Sequence, residues 1–311
     1  MSVTNALNVG VVRTALDAIF VEEYEYPVGP GMATAETPEI FRQEPIENAA
    51  HIEEVLGGGG GFWPAKGEEE PVAQASPRVA NRATYVASTF ANSLQISKEF
   101  FDDNMHGTYE AMVRKFAQNA RATRDRTAFG LYRNAFGTTL TADGAAWISN
   151  THTTITGLTE DNRIAGDPAL SETALNTGMV ELLQQRSQDG VVMGQQPAYL
   201  LVPSRLYRLA LQITGSQLVN DTANNAINVW SSTYNIKVFH SPYLGAAQAG
   251  SDTAWFLLSK NHAVTRYIRE EISTDLVDYI YSTNDSYVYK GRFREIYGVS
   301  DYVGAVGSNA V

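Results

Sequence analysis

Residues 108–136 read TYEAMVRKFAQNARATRDRTAFGLYRNAF, contain no proline and hold one helical period from end to end. Tyr109, Met112, Val113, Phe116 and Ala120 follow the i, i+3, i+4, i+7, i+11 spacing of one helix face, and Ala128, Leu131 and Ala135 carry the stripe on. Thr108 is placed to cap the N-terminus. Glu110 lies in the first turn, where negative charge is favoured, and Arg133 lies in the last. Gly137 is placed to end the helix. At 1.5 Å per residue the pattern predicts a rod of about 43 Å. That is longer than a small core requires. Such a rod supports something extended, so the sequence on either side decides the fold.

Upstream, residues 1–70 carry thirteen acidic and three basic side chains, about −10 of the chain's formal net charge of −11. The rod carries the opposite sign in Arg114, Lys115, Arg121, Arg124, Arg126 and Arg133, six of the 23 basic residues. A solvated tail is one reading of this asymmetry. An arm that docks on a basic surface of a neighbour is the other. Residues 1–50 read as mostly extended, with one short helix around 11–20. Four prolines and the scattered Tyr24, Tyr26, Val28, Ile40, Phe41 and Ile46 do not close a core of their own, and the aromatics favour burial on another subunit.

Residues 51–56 then lead into GGGGGFWPAKGEEEPVAQASP, a polar stretch with no structural period, and β-type alternation resumes over 82–96. The simplest geometry is a two-stranded loop projecting from the body. A lone ribbon of that kind is barely stable in water and needs a partner.

Downstream of the rod, Ser171 is placed to cap a helix over ETALNTGMVELLQQRS, PAYLLVP at 197–203 reads as a buried strand, and 205–213 as an amphipathic helix. Short strands are expected at 227–230, 236–240, 255–259 and 264–268, giving an α/β unit over 169–271. The end of the chain is β-rich, with strands at 276–281 and 286–297 joined by the turn STND at 282–285. Tyr279, Tyr281, Tyr287 and Tyr289 alternate along this hairpin, with Lys290, Arg292 and Arg294 on one face of its outgoing strand.

The composition sets outer bounds. A chain of 311 residues makes one large domain or two modest ones, and 44% hydrophobic with 18% charged residues is ordinary for a globular protein. No apolar run reaches the length of a membrane span, and the N-terminus lacks a basic region leading into an apolar core, so no signal peptide is expected. The absence of cysteine rules out disulfides, thiolate metal sites and a cysteine nucleophile.

No catalytic constellation emerges. Ser204 sits in LVPSRL without the glycines of a nucleophile elbow and reads as a helix cap. His51, His106, His152, His240 and His262 are well separated and form no H-E-x-x-H pair, so no metal site is expected. The glycine run at 57–61 is followed by no G-K-[ST] and reads as a hinge. Asp102/Asp103 and Glu270/Glu271 are adjacent pairs whose side chains diverge, so solvation is the reading for both. The basic residues of the rod and hairpin are too few, on an acidic chain, for strong nucleic-acid binding. No catalytic residue and no cofactor is therefore expected.

The order of parts is arm, projecting loop, rod, α/β unit and terminal hairpin. With it come ISKEFFDDNMHG before the rod, ADGAAWISNTH after it, then LSETALNTGMVELL, YLLVPSRLYRLALQI, WFLLSKNH and FREIYGVSDYVGAVGS. Colinear over 40–308, this arrangement resembles the major capsid proteins of tailed bacteriophages, with the HK97-type shell fold, and among them the branch of Mu-like head subunits.

The resemblance implies an α+β, HK97-like capsid fold with an N-terminal arm (1–49) and an E-loop (50–97). It further implies a peripheral domain (98–168) with its spine helix at 108–136, an axial α/β domain (169–271), and a peripheral β-hairpin and C-terminus (272–311). It implies self-assembly as hexamers and pentamers into an icosahedral shell around double-stranded DNA, in the virion, after assembly in the host cytoplasm. Lys66, Glu68, Glu69, Glu70, Arg114, Arg121 and Arg124 would be assembly contacts. Some members of the family weld the shell by an isopeptide bond between a loop lysine and a neighbour's asparagine. Lys66 is the loop's lysine here and Asn284 and Asn309 lie in the terminal segment, but no motif links them and a solvated Lys66 is the reading. Nothing resembles an N-terminal scaffolding extension, so a separate scaffolding protein is expected, with a portal, possible decoration protein and weak, non-specific DNA contact. The alternatives are an encapsulin-like protein compartment of the same fold and, from another class, an α/β hydrolase, for which the sequence offers no catalytic cluster.

Overall fold

Two four-stranded sheets and the rod organise the computed structural model, which describes residues 2–99, 107–215, 230–278 and 284–310. The elements in chain order are α1 (Ser2–Tyr24), β1 (Arg42–Pro45), β2 (Ala50–Gly57), β3 (Arg78–Val86), β4 (Ser88–Ser97), α2 (Thr108–Ala128) and α3 (Gly130–Arg133). There follow β5 (His152–Thr153), β6 (Thr159–Glu160), α4 (Glu172–Gln184), β7 (Pro197–Pro203), α5 (Tyr207–Gly215), β8 (Lys237–Ser241) and β9 (Ala254–Ser259). The chain closes with β10 (Val264–Val277), β11 (Ser286–Val299) and β12 (Ala305–Asn309).

The first sheet has the order β1-β10-β11-β4. Its centre is the antiparallel pair β10 and β11, which runs from Val264 opposite Val299 to Val277 opposite Val288 with register shifts between Ile268 and Ser273. Side chains alternate across a strand, so Tyr287, Tyr289, Phe293, Glu295 and Tyr297 turn to one face, and all five are buried. The rod lies on that face. Gly291 interrupts the row where a Cβ would stand 3.1 Å from the Phe116 ring, so the missing side chain lets the helix approach.

The second sheet has the order β12-β9-β7-β8, with β7 parallel to β8 and antiparallel to β9. Ser171 caps α4 as expected, its hydroxyl accepting from the Ala174 N–H at 3.1 Å. Ala174, Leu175 and Leu182 of that helix pack with Leu200, Val202, Trp255 and Leu257. The two sheets share one core, where Phe41, Phe129, Tyr132, Trp147, Phe256 and Val299 meet.

Several expectations change. The N-terminal segment is not extended: Ser2–Tyr24 is helical, and Leu16, Phe20 and Tyr24, one turn apart, are buried against the chain's own rod. The first proline comes only at position 27, so nothing stops this helix earlier. Ile40, Phe41 and Ile46 are also buried within the chain, while Tyr26 and Val28 are exposed. The rod is shorter than predicted. It ends at Ala128 after 21 residues, about 32 Å. Phe129, fully buried and edge-on to Phe41, separates it from the turn α3. Thr108 is the first helical residue, and Gly107, in left-handed conformation with φ 64°, holds the cap position without a side-chain bond.

The strand expected at 264–268 does not join the α/β sheet. It starts β10 and pairs with β1 and β11, while β12 crosses into the second sheet to pair with β9. Ser204 opens a short 3-10 turn rather than capping α5, and its hydroxyl bonds to His240 instead. Asp102, Asp103, His106, Tyr279, Tyr281, part of the turn at 282–285 and most of the strand expected at 227–230 lie outside the described residues. Trp230 itself opens a π-helical turn, Trp230–Tyr234.

Phe20 tests whether α1 belongs to the fold. Its ring meets Tyr24, Phe116 and Tyr289 at 5.9, 6.0 and 6.2 Å between centroids. Phe20→Ala should destabilise the chain by about 3–5 kcal/mol in urea unfolding. An unchanged midpoint would mean that α1 is not part of the cooperative unit.

Candidate functional site: the arm–rod charge network and the projecting ribbon

The rod, the N-terminal segment and the long hairpin meet at Arg124. Its position on α2, eight residues beyond Phe116, turns it toward the sheet, where it is almost wholly buried. The guanidinium donates to the Tyr24 hydroxyl, to Glu36 at 2.5 Å and to Glu271 at 3.2 Å. Its Nε lies 3.3 Å from Glu295, close enough to pair but off hydrogen-bond alignment. The Phe293 ring lies under it at 4.9 Å.

Arg266 completes the arrangement from β10. It reaches Glu295 at 2.8 Å through Nε, and Glu271 at 3.2 Å and Gln43 at 3.4 Å through its terminal nitrogens. Tyr297 donates to the other Glu295 oxygen at 2.7 Å. Glu295 is thus a fully buried carboxylate between two buried guanidiniums, with the half-exposed Glu36 and Glu271 at the rim. Burial works against the charge of both arginines, but Glu295 and Tyr297, joined by Tyr24 at Arg124 and by Glu271 at Arg266, together outweigh it and hold both above their ordinary values.

Asp125, the next residue, accepts the Ala35 N–H at 2.7 Å. Burial raises its carboxyl to about 6, against the bond from Ala35 and the nearby Arg121 charge, which pull it down.

The sequence-predicted assembly arginines therefore divide. Arg124 is internal. Arg114 pairs with Glu22 at 3.1 Å and Glu23 at 3.4 Å, and Arg121 donates to the Tyr26 carbonyl at 2.6 Å. The chain's own N-terminal segment supplies the partner expected from a neighbour, two glutamates for Arg114 and a backbone carbonyl for Arg121. Docking α1 alongside α2 brings these opposite charges together within one subunit.

The ribbon does project. β2 and β3 pair from Ala50 opposite Val86 to Gly57 opposite Arg78, and residues 58–77 form a tip without regular structure. Asp189 accepts the Gly58 and Gly59 N–H groups at 2.6 and 3.1 Å and pins the base of the tip to the body. Beyond that anchor Phe62 is 76% and Trp63 90% exposed. Lys66, Glu68, Glu69 and Glu70 are exposed on the same tip, and Glu70 folds back to accept the Gly67 N–H at 3.0 Å.

The remaining polar groups are structural in their contacts. Glu270 pairs with Arg292 at 3.3 Å while Glu271 turns into the charge network, so this adjacent pair diverges. The Ser204 hydroxyl lies 3.1 Å from His240 Nδ1, and among the described residues no carboxylate pairs with that ring. His152 is fully buried between Asp143 at 2.8 Å and the Trp147 carbonyl at 3.2 Å. Burial pushes Asp143 up, but its bonds with His152 and Thr141 prevail and hold it at about 2. Glu44, His51 and Glu53 gather at the root of the ribbon. Sequence reasoning found Arg124 from its place on the rod but missed Arg266 and Glu295, which sit in strand alternation as if on a solvated face.

Comparison with known proteins gives one consistent answer. The family described as phage capsid protein matches residues 81–308. No curated protein matches the sequence. Among solved structures the chain is similar to the capsid of a native GTA particle, with 13% identity, TM-score 0.55, and 92% of this chain and 94% of that chain covered. It is similar to the capsid of the cyanophage P-SCSP1u, with 14% identity, TM-score 0.53, and 92% and 91% covered. It is also similar to a virus-like particle from Pyrococcus furiosus, with 8% identity, TM-score 0.54, and 94% and 97% covered.

Two predictions follow from the network. Arg124→Ala leaves buried Glu295 short of one counter-charge and should cost about 3–5 kcal/mol of folding stability by urea unfolding. Arg114→Ala, on an exposed pair, should leave the midpoint where it is; equal effects would show that the network is not the fold's charge centre. Asp125 acts through pH. Its folded value is raised above the ordinary 3.8, so its contribution is full below about pH 4 and is lost as pH rises through about 6. Asp125→Asn keeps an acceptor for the Ala35 N–H and removes the titration. Wild-type stability should therefore fall relative to the variant by on the order of 2–3 kcal/mol between pH 4 and 7. Parallel stability curves for the two would refute the assignment.

Proposed function

The chain belongs to the phage capsid protein family, and from that premise we propose that its copies assemble as hexamers and pentamers into an icosahedral shell around double-stranded DNA. It is a major capsid protein with the HK97-type fold, a structural subunit rather than one built around a reaction centre. The observation that carries the assembly reading is the ribbon tip: Phe62 and Trp63 stand in solvent beyond the Asp189 anchor. An aromatic pair so displayed gains its burial from another copy.

In this reading the ribbon is the E-loop lying across an adjacent subunit. The first sheet with the rod is the peripheral domain, and the second sheet with α4 and α5 is the axial domain at the centre of each capsomer. The N-terminal arm differs from the expected one, since α1 serves its own subunit first. Lys66 and Glu68 to Glu70 accompany the tip to the neighbour. Arg114 and Arg121 act on the neighbour only through the N-terminal segment they hold in place.

A separate scaffolding protein and a portal are the further partners, with assembly in the host cytoplasm before the shell becomes part of the virion. Contact with the packaged DNA is weak and non-specific, as the nearly balanced charge beyond residue 70 favours. The Mu-like branch rests on the sequence stretches alone. A protein compartment of encapsulin type shares the fold, and the likeness to the Pyrococcus particle, at 8% identity, speaks for the fold only.

Negative-stain microscopy of purified full-length protein, produced with its scaffolding partner, tests this directly. Closed angular shells are expected, and a monodisperse monomer at high concentration would overturn the reading. Trp63→Ala should abolish or sharply reduce closed shells while leaving the urea midpoint of the subunit unchanged. Normal shells from that variant would remove the tip from the assembly mechanism.

A further inference from the structure

The root of the ribbon holds a group of side chains that the shell does not account for. Glu44 comes from β1, and His51 and Glu53, two residues apart, project from the same side of β2. His51 Nε2 lies 3.2 Å from a Glu53 oxygen and 4.0 Å from a Glu44 oxygen, and the three donor atoms lie within 4.8 Å of one another. Among the described residues no other three histidine, aspartate or glutamate side chains converge so closely.

Two further observations bear on what this group holds. The first is charge. Among the described residues neither Glu44 nor Glu53 pairs with a lysine or arginine, so two carboxylates share one imidazole. The second is support from outside the group. Tyr267, fully buried on β10, donates to Glu53 at 2.8 Å and sets its ring 4.6 Å from that of His51. One residue thus orients both the carboxylate and the imidazole, as groups behind a metal's ligands do.

We propose that Glu44, His51 and Glu53 bind a divalent transition cation of the zinc class. Bonds of about 2.0–2.2 Å to a tetrahedral ion place its donors about 3.3–3.6 Å apart, and the observed 3.2 and 4.0 Å straddle that spacing. An imidazole nitrogen beside two carboxylate oxygens selects such an ion over magnesium or calcium, which take oxygen donors. The three side chains are partly exposed, so water occupies the remaining coordination position and the ion has a path in. The ion ties β1 of the first sheet to β2 of the ribbon across the bend at 46–49. It therefore fixes the angle at which the ribbon leaves the body. Cation binding belongs to the single chain and does not depend on the shell.

The test is titration of chelator-treated, full-length protein with zinc chloride by calorimetry, with the cobalt(II) absorption spectrum as a reporter of coordination. One ion per chain is expected, with no displacement by millimolar magnesium. His51→Ala should abolish binding. Glu44→Gln should weaken it, and Tyr267→Phe should weaken it by about 10- to 100-fold. Glu54→Gln, which alters a carboxylate paired with Arg82 at 2.9 Å on the opposite face of β2, should bind as wild type. Circular dichroism checks that each variant is folded. Should His51→Ala unfold, the half-exposed Glu44 decides, since Glu44→Gln disturbs no core. No binding by the wild type overturns the proposal, as does a cobalt spectrum and zinc affinity unchanged in Glu44→Gln. Shell formation is scored separately by microscopy, so failure here leaves the assembly reading standing and the reverse also holds.

Discussion

Burying the Glu295 carboxylate is the constraint from which the rest of the subunit follows. A lone buried carboxylate is strongly unfavourable, so the fold must bring positive charge to it. Arg266 arrives from the neighbouring strand and Arg124 from the rod. Each arginine then has donors to spare, and these gather Tyr24, Glu36 and Gln43 from the N-terminal segment. Three parts of the chain that share no local sequence are fixed to one point. Hydrophobic packing of Phe20, Phe116 and Tyr289 supplies the bulk of the burial around it, but such packing is tolerant of small slips. The charge network is not. It sets the register of rod against sheet and of arm against rod.

The subunit that results has two contrasting regions. The shared core and the charge network make the two sheets, the rod and α1 one unit. The ribbon leaves that unit as a two-stranded projection, held by Asp189 near its tip and by Tyr85, Tyr267 and Glu53 near its root. A shell needs both: a body rigid enough to tile and an extension able to follow the curvature between neighbours. The fold shared with the solved structures persists at identities of 8–14% because burial pattern and topology carry it, while few individual side chains are required.

Much of this was legible in the sequence because it is written locally. The period of residues 109–120, the cap at Ser171, the buried strand PAYLLVP and the pair of strands flanking the glycine-rich loop each announce themselves within one window. What stayed hidden depends on distant partners. The stripe of α1, Leu16, Phe20 and Tyr24 with Ile19 beside them, reads as too narrow to pack until the rod and β11 are set beside it. Glu295 and Arg266 alternate with apolar neighbours as surface residues do. Only the antiparallel register of β10 and β11, with Arg124 above it, turns them inward. Phe129 ends the rod early because Phe41, far away in the chain, offers it a place in the core.

The first sheet also imposes an order in time. Asp17 and Phe20 take partners on β11, far along the chain, and β1 finds its place only beside β10. Helix α1 is made well before the strand it packs on and settles only when that strand is in place. A chain cut short before Ser286 lacks the strand that closes the sheet, the carboxylate that holds the arginines and the tyrosine that receives Phe20. Joining such distant segments in one layer makes synthesis through β11 a condition of folding, a form of proofreading built into the topology.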